Sequence, residues 1–384
     1  MTKIPYIESL FSWIEKKSEK WYYVYLLTIV TILVTSNLNS VYEYKYQSYN
    51  KWNILLLKSL DLTNNLSGLN PQSHEAKTVF RLFTPILIRL FHLGYVKLHI
   101  FQYLIGLLII IFSYKFTMKI LNDSVSASLI SIGLICTYFG SNSFIDMSSF
   151  WLDGFSFFFI IMSMYVSSPF FIFFFSSCAA WNDERAFMAL TIVFIFHQMF
   201  HFESSNKIKI KDLVIINRRS FAVFFAMICY LALRIFLQFE YSMHTSFSDG
   251  LVNFNVFVRN IPVLPIAILS FLEGFWFLLI IFILITLHKK DYLFLAFISF
   301  IVLLFSISSG FVLDVTRTGS YLMPVIFILL NYLKNKLDRS TIRKALLIVL
   351  FICIVIPAYL VMSIGNRDIY WYGLIQKIYT ILYK

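Results

Sequence analysis

Residues 73–94 read SHEAKTVFRLFTPILIRLFHLG, the most polar and most patterned stretch of a chain that is otherwise overwhelmingly apolar. Read as one helix, it puts Val79, Phe83, Ile86, Leu87 and Leu90 on one face. His74, Thr78, Arg81, Arg89 and His92 fall mainly on the other, at spacings of three and four. Ser73 suits an N-cap, and Glu75 in the first turn suits the positive end of the helix dipole. A helix with an apolar face and a cationic, histidine-bearing face lies in a membrane interface rather than across the membrane. The rest of the chain is expected to surround it.

The composition sets the class. Of 384 residues, 59% are apolar and only 14% charged, with 43 phenylalanines. Mean hydropathy is +0.77, whereas a water-soluble domain carries about a quarter charged residues. The net charge of +12 does not indicate nucleic acid, because the basic residues sit in short clusters between apolar runs, as they do in the cytoplasmic loops of membrane proteins. Cys136, Cys178, Cys229 and Cys353 all fall within apolar runs without a C-x-x-C spacing, so neither a disulfide framework nor a zinc site is indicated. No cleavable signal peptide is expected, since the first apolar run follows a polar, basic head and no A-x-A site follows it.

Taken in order, the apolar runs predict an all-α, polytopic helical bundle of about eleven spans with the N-terminus inside. They lie at 22–38, 96–114, 124–140, 154–168, 170–181, 186–200, 219–237, 263–287, 292–312, 319–333 and 345–363. The chain reads as one transmembrane domain, 1–384. Residues 1–21 form a cytoplasmic head with an amphipathic helix over 4–15. Residues 39–94 form an extracytoplasmic loop with interfacial helices, one of them around Trp52 to Leu60. Residues 95–363 are the bundle and 364–384 an extracytoplasmic tail.

Under this topology the acidic residues gather on the outer side. Glu43, Asp61 and Glu75 fall in the first loop, Asp146 and Asp153 between spans three and four, Asp183 and Glu184 after span five, and Asp314 after span nine. Glu273 lies inside a span. Cations accompany most of them: Lys77, Arg81, Arg89, Arg185, Arg259 and Arg317. The inner loops offer lysine and arginine without such pairing. Charges at or inside the hydrocarbon boundary are costly, so repeated acid–base pairs at one face suggest a polar site opening outward. Each residue also has a plain structural reading. Glu75 serves the helix dipole, Asp183 caps span six with Glu184 in its first turn, and Asp314 and Arg317 form an i, i+3 ion pair. His197 and His201 have the i, i+4 spacing of a metal pair but no third ligand, which favours interfacial histidines. The functional reading rests on the convergence of HEAK, WLDG, WNDER and DVTR on one side.

The layout resembles the GT-C superfamily of membrane glycosyltransferases, which use sugars linked to lipid phosphates at the extracytoplasmic face. Glu43, in Tyr42-Glu43-Tyr44-Lys45-Tyr46, matches the position of that family's carboxylate after span one, with Tyr42 standing where a D-E-x-x-Y-like sequence has aspartate. SHEAKTVFRLFTPIL is similar to the family's second interfacial helix, WNDER to its acidic patch after span five, and DVTRTGSYLMP to an Asp/Arg segment before a proline-containing span. The resemblance implies transfer of a sugar from a polyprenyl-phosphate donor to a glycan or lipid-linked acceptor in a bacterial inner membrane, with the site facing the periplasm or exterior. Glu43 would be the general base, with Glu75 as the alternative. Lys77, Arg81 and Arg317 would bind the donor phosphate, while His74, Asp153, Asp183, Glu184, Arg185 and Asp314 would bind the acceptor or build the site. No metal ligand is assigned. The sequence has no D-x-D motif, identifies no cofactor and leaves a divalent metal open. An O-antigen-type polymerase and a lipid-linked-glycan flippase or transporter are the competing readings.

This topology is directly measurable. Cysteine-accessibility labelling should place 202–218 and 334–344 on one side of the membrane, and 39–94 and 314–318 on the other. Labelling that put Asp314 on the side of Lys209 would overturn it.

Overall fold

The computed structural model describes residues 5–18, 49–65, 78–145, 152–200, 216–243, 254–356, 358–361 and 367–371. Glu43, His74, Glu75, Lys77, Asp146 and His201, the expected span at 22–38 and most of the 202–218 loop lie outside them. The described chain is helical. It runs α1 (Pro5–Ser18), α2 (Tyr49–Leu60), α3 (Phe83–Phe91), α4 (Tyr95–Leu121), α5 (Ser124–Ile135), α6 (Tyr138–Ile145), α7 (Asp153–Tyr165), α8 (Pro169–Asn182) and α9 (Glu184–Phe200). Then follow α10 (Arg218–Tyr241), α11 (Phe254–Asn260), α12 (Leu264–Leu272), α13 (Trp276–Lys289), α14 (Tyr292–Gly310), α15 (Val315–Gly319), α16 (Val325–Leu333) and α17 (Arg339–Val355).

Among the described residues four helical segments are long and apolar enough to cross a membrane: Tyr95–Leu121, Arg218–Tyr241, Leu264–Lys289 and Tyr292–Gly310. The pair α5 and α6, bent by 62°, makes a fifth if it is one span. Helices α7 and α8 are apolar but shorter. Helix α7 is buried almost all round, from Asp153 to Met164, the pattern of a helix enclosed by others rather than facing a solvent. It packs against α4, α8 and α9. Phe157 at its centre packs tilted against Phe139 of α6 at 4.4 Å and against Tyr321 at 4.7 Å between ring centroids. The lipid-ready surface lies elsewhere, on α8 and α10, where Phe170, Phe171, Phe221, Phe225 and Ile235 are exposed.

Three expectations are corrected. The stretch 73–94 is not one continuous helix. Thr78–Phe80 form a turn, closed by the Arg81 amide donating to the Thr78 carbonyl at 2.9 Å, and α3 starts only at Phe83. Pro85 explains this, because a proline inside a helix lacks the amide proton and its ring strikes the carbonyl four residues earlier, whereas the first turn tolerates it. The buried face of α3 is Thr84, Pro85 and Ile88, with Leu90 exposed.

The last apolar run does not stay helical to 363. Helix α17 ends at Val355, and Ile356 is extended (φ −82°, ψ 128°), as the residue before a proline prefers; Pro357 follows it in sequence. Beyond it, β1 (Ala358–Val361) pairs antiparallel with β2 (Arg367–Trp371), a two-stranded addition to an otherwise helical fold.

The cations expected to stand unpaired at the inner end are in fact paired. Asp123, buried at the junction of α4 and α5, accepts from Arg343 at 2.6 and 3.0 Å and from Arg339 at 2.7 Å, while Glu15 of α1 accepts from Arg343 at 3.0 Å. Asp123 also caps α5 through the Ser126 amide. Asp338 draws the two arginines to this point by capping α17, accepting from the Thr341 amide at 3.0 Å. Helix α1, expected over 4–15, thereby docks on the bundle, with Phe11 buried.

The bend between α5 and α6 supplies a test of packing. Gly140 lies directly against the Leu134 carbonyl, leaving no space for a Cβ. Gly140→Ala should force the bend open at a cost of about 1–3 kcal/mol, read as a lower unfolding temperature of the purified protein in detergent. An unchanged melting curve would mean that the two helices do not meet this closely.

Candidate functional site

Asp153 opens α7, Asp183 and Glu184 occupy the break between α8 and α9, and Asp314 and Arg317 flank the start of α15. Each therefore sits where a helix ends and backbone groups are available. Arg81 enters from the turn before α3. These segments meet at one end of the bundle, and their charges interlock.

Arg317 holds both oxygens of Asp153, Nε donating at 2.8 Å and Nη2 at 2.9 Å, and its Nη1 donates to Asp314 at 2.6 Å. Arg185 grips Asp183 the same way, at 2.8 and 2.6 Å, and reaches Asp153 at 3.3 Å. Arg81 makes a fork on Glu184, at 3.0 and 2.8 Å, and approaches Asp183 at 3.4 Å. Three guanidinium groups thus join four carboxylates, each arginine making a bidentate fork on one of them, the strongest geometry available to these groups, with single contacts linking the forks. The formal charge of this net is one more negative than positive.

Burial grades across this net. The side chains of Arg317, Asp153 and Asp183 are 0%, 1% and 1% exposed, whereas Arg81, Asp314 and Glu184 are 17%, 20% and 29% exposed. The net has a dry floor and a wetter lip formed by the Arg81–Glu184 pair and Asp314. Burying a charge without a partner costs several kcal/mol, so the floor residues hold one another in place.

Neutral groups fix the floor. Tyr138 of α6 donates to Asp153 at 3.0 Å and accepts from Asn142 at 2.6 Å, and Asn142 in turn receives the Gly154 amide at 3.1 Å. Asn182 donates to the Leu152 carbonyl and to Ser156, and accepts from Thr84 at 3.0 Å, pinning α3, α7 and α8 together. The Arg185 guanidinium lies 5.8 Å from the Tyr321 ring centre, within range of a cation–π contact. Strand β1 is fastened beside it by the Val361 amide on Thr316 at 3.0 Å.

Of the residues singled out in the sequence, Arg81, Asp153, Asp183, Glu184, Arg185, Asp314 and Arg317 are brought together. Arg89 and Arg259 are exposed and are not members of the net. His197 donates from Nε2 to the Ser163 carbonyl at 2.8 Å, at the opposite end of α9. Among the described residues no group of three or more His, Cys, Asp or Glu is placed to hold a metal. Sequence reasoning passed over Tyr138, Asn142, Asn182 and Arg234. Arg234 lies 4.6 Å from the Phe80 ring centre and donates to Tyr230 at 2.7 Å, one residue along the chain from Arg81. An arginine in the middle of an apolar run was the available signal, since such a residue is expensive and needs a polar neighbour.

No family model, no curated protein and no solved structure matches the chain.

Asp183, between two helices, gives a pH test. Burial pushes its carboxyl up, but Arg185 and Arg81 outweigh that and hold it well below the ordinary carboxylate range. A depressed folded value means that its stabilisation is fully present above the ordinary range and is lost as pH falls through the folded value. Melting temperature should therefore hold from neutral pH down to about pH 4 and drop below it. Asp183→Asn should be less stable throughout that plateau and show a shallower acid decline. A variant with the wild-type profile would remove Asp183 from the net.

Proposed function

We propose that this chain is a membrane glycosyltransferase that moves a sugar from a polyprenyl-phosphate donor to a glycan or lipid-linked acceptor at the extracytoplasmic face of a bacterial inner membrane. In this reading the bundle has about eleven spans with its N-terminus inside, and the charged net opens outward. The observation that carries the proposal is the graded net itself, with its partly exposed Arg81–Glu184 lip. A guanidinium fork that fits a carboxylate fits a phosphate equally well. The donor phosphate takes Glu184's place on Arg81, with Lys77 and Arg317 adding positive charge.

The chemistry then needs few parts. The acceptor hydroxyl attacks the anomeric carbon as Glu43, or Glu75 in its place, takes the hydroxyl proton. The bond from the anomeric carbon to the phosphate oxygen breaks, and the lipid phosphate leaves with the bonding electrons, its charge stabilised by Arg81. His74, Asp153, Asp183, Glu184, Arg185 and Asp314 orient the acceptor or hold the cations in register. Arg317, saturated by Asp153 and Asp314, acts on the donor once Asp314 turns away.

One observation favours a second reading, a lipid-linked-glycan flippase or transporter. Glu273 interrupts the Leu264–Lys289 segment at a positive φ of 49°, strained for a side chain with a Cβ. An ionisable residue inside a spanning segment marks a candidate ion or substrate path, and broken spanning helices build the sites of many transporters. An O-antigen-type polymerase would use the same chemistry on a longer donor.

Kinetics separate these. Glu43→Gln should leave folding and donor binding intact and lower turnover about 10²–10⁴-fold. Arg81→Ala should weaken donor binding as well as turnover, and Glu273→Gln should leave transfer unchanged. Full transfer activity in both Glu43→Gln and Glu75→Gln would refute the carboxylate-base mechanism. Loss of lipid-glycan translocation in Glu273→Gln, with no transfer detectable in any form of the protein, would favour transport.

A further inference from the structure

At the end of α7 and α9 away from the charged net, a narrow cleft opens between α4, α7, α9 and α10, lined by Phe116, Lys119, Ser167, Phe196, His197 and Arg219. Three nitrogen-bearing side chains converge here from three helices. Lys119 donates to the Tyr165 carbonyl at 2.7 Å and lies over the Tyr165 ring at 5.1 Å. Those contacts aim the ammonium without neutralising it. Arg219, in the first turn of α10, forms no ion pair with a described carboxylate, and the two like charges act on one another. The arginines at Asp153 and at Asp123 converge on acids, whereas Lys119 and Arg219 line one cleft together.

His197 adds the decisive detail. It is 2% exposed, and its Nε2 must be the protonated nitrogen because its partner is the Ser163 carbonyl, which can only accept. Its Nδ1 is therefore a lone-pair acceptor, and it is buried with no hydrogen-bond partner. A buried acceptor of this kind costs free energy until a donor reaches it. The cleft lining thus holds two cations for an anion and one acceptor for a hydroxyl. Aromatic walls, Phe116 and Phe196, flank both.

We infer that this cleft binds the headgroup of an anionic, hydroxyl-bearing phospholipid, with the phosphodiester at Lys119 and Arg219 and a headgroup hydroxyl donating to His197. Basic pockets between spanning helices bind anionic headgroups through these same terms, a local cation pair and the negative potential of the leaflet. The exposed Lys119 and the apolar surface of α10 beside it let a lipid reach the cleft from the bilayer side. Free phosphate shares the charge but offers no acyl chains to hold it there.

Native mass spectrometry of the full chain, released from detergent with phosphatidylglycerol, phosphatidylmethanol, phosphatidylcholine or inorganic phosphate added, tests this. Wild-type protein should retain phosphatidylglycerol over phosphatidylmethanol, which lacks the hydroxyl, and over zwitterionic phosphatidylcholine. Arg219→Gln should weaken retention roughly fivefold, and Lys119→Gln with Arg219→Gln roughly thirtyfold. His197→Phe should abolish the preference for phosphatidylglycerol over phosphatidylmethanol. Lys115→Gln, which removes an exposed charge outside the cleft, should retain lipid as wild type does. Equal retention by Arg219→Gln and wild type, equal retention of phosphatidylcholine, or displacement of the lipid by millimolar inorganic phosphate would each overturn the assignment.

Discussion

A charge inside this protein has to bring its partner with it, and that requirement organises one end of the bundle. Asp153, Asp183 and Arg317 are almost wholly buried, and none can stay ionised there alone. Arg317 joins α15 to α7, Arg185 joins α9 to α7, and Arg81 joins the segment before α3 to α9. Three arginines thereby tie together parts of the chain that lie more than 230 residues apart in sequence, from Arg81 to Arg317. Removing one member of a buried pair typically costs about 3–5 kcal/mol, so the ends of these helices stand or fall together. The partly exposed Arg81–Glu184 pair and Asp314 are under less of this constraint.

The opposite end obeys the same rule with different residues. Helix α4, 27 residues and about 40 Å long, separates the turn at Arg81 from the knot at Asp123. That knot draws α1 and α17 onto the junction of α4 and α5. Between the two charged ends the interior is aromatic, with Phe116 packed against Phe327 at 4.6 Å and Phe157 against Tyr321. The bundle is thus fastened by ion pairs at its ends and packed by rings between them. The cleft at Lys119 and Arg219 departs from this pattern because its cations have no described acid to hold.

Much of this was legible in the sequence, and the exceptions have physical reasons. Helical character followed from apolar runs, and the gathering of Asp153, Asp183, Arg185, Asp314 and Arg317 followed from placing acids at the same ends of successive runs. Helical periodicity carried the 73–94 reading straight through the turn before Phe83, which Pro85 requires because it fits only the first turn of a helix; the missing amide proton was visible in the sequence, but the hydrophobic pattern does not register it. Asp123 was missed because positive clusters were read as loop markers, and its partners come from residues 216 and 220 positions away. Tyr138 and Asn142 looked like ordinary span-end polar residues. Only their distance to Asp153 reveals them as its supports. Periodicity reports which face is apolar; it does not report which distant acid a cation will find.

In the proposed mechanism the lip of the net receives the donor phosphate. Cryo-electron microscopy of the protein with a phosphonate analogue of a polyprenyl-phosphate sugar addresses it directly. Density for the phosphonate within hydrogen-bonding distance of the Arg81 guanidinium, with Glu184 turned aside and the Arg317–Asp153 pair intact, is the predicted result. A bound analogue whose phosphonate lies elsewhere, with the Arg81–Glu184 fork unchanged, would contradict it.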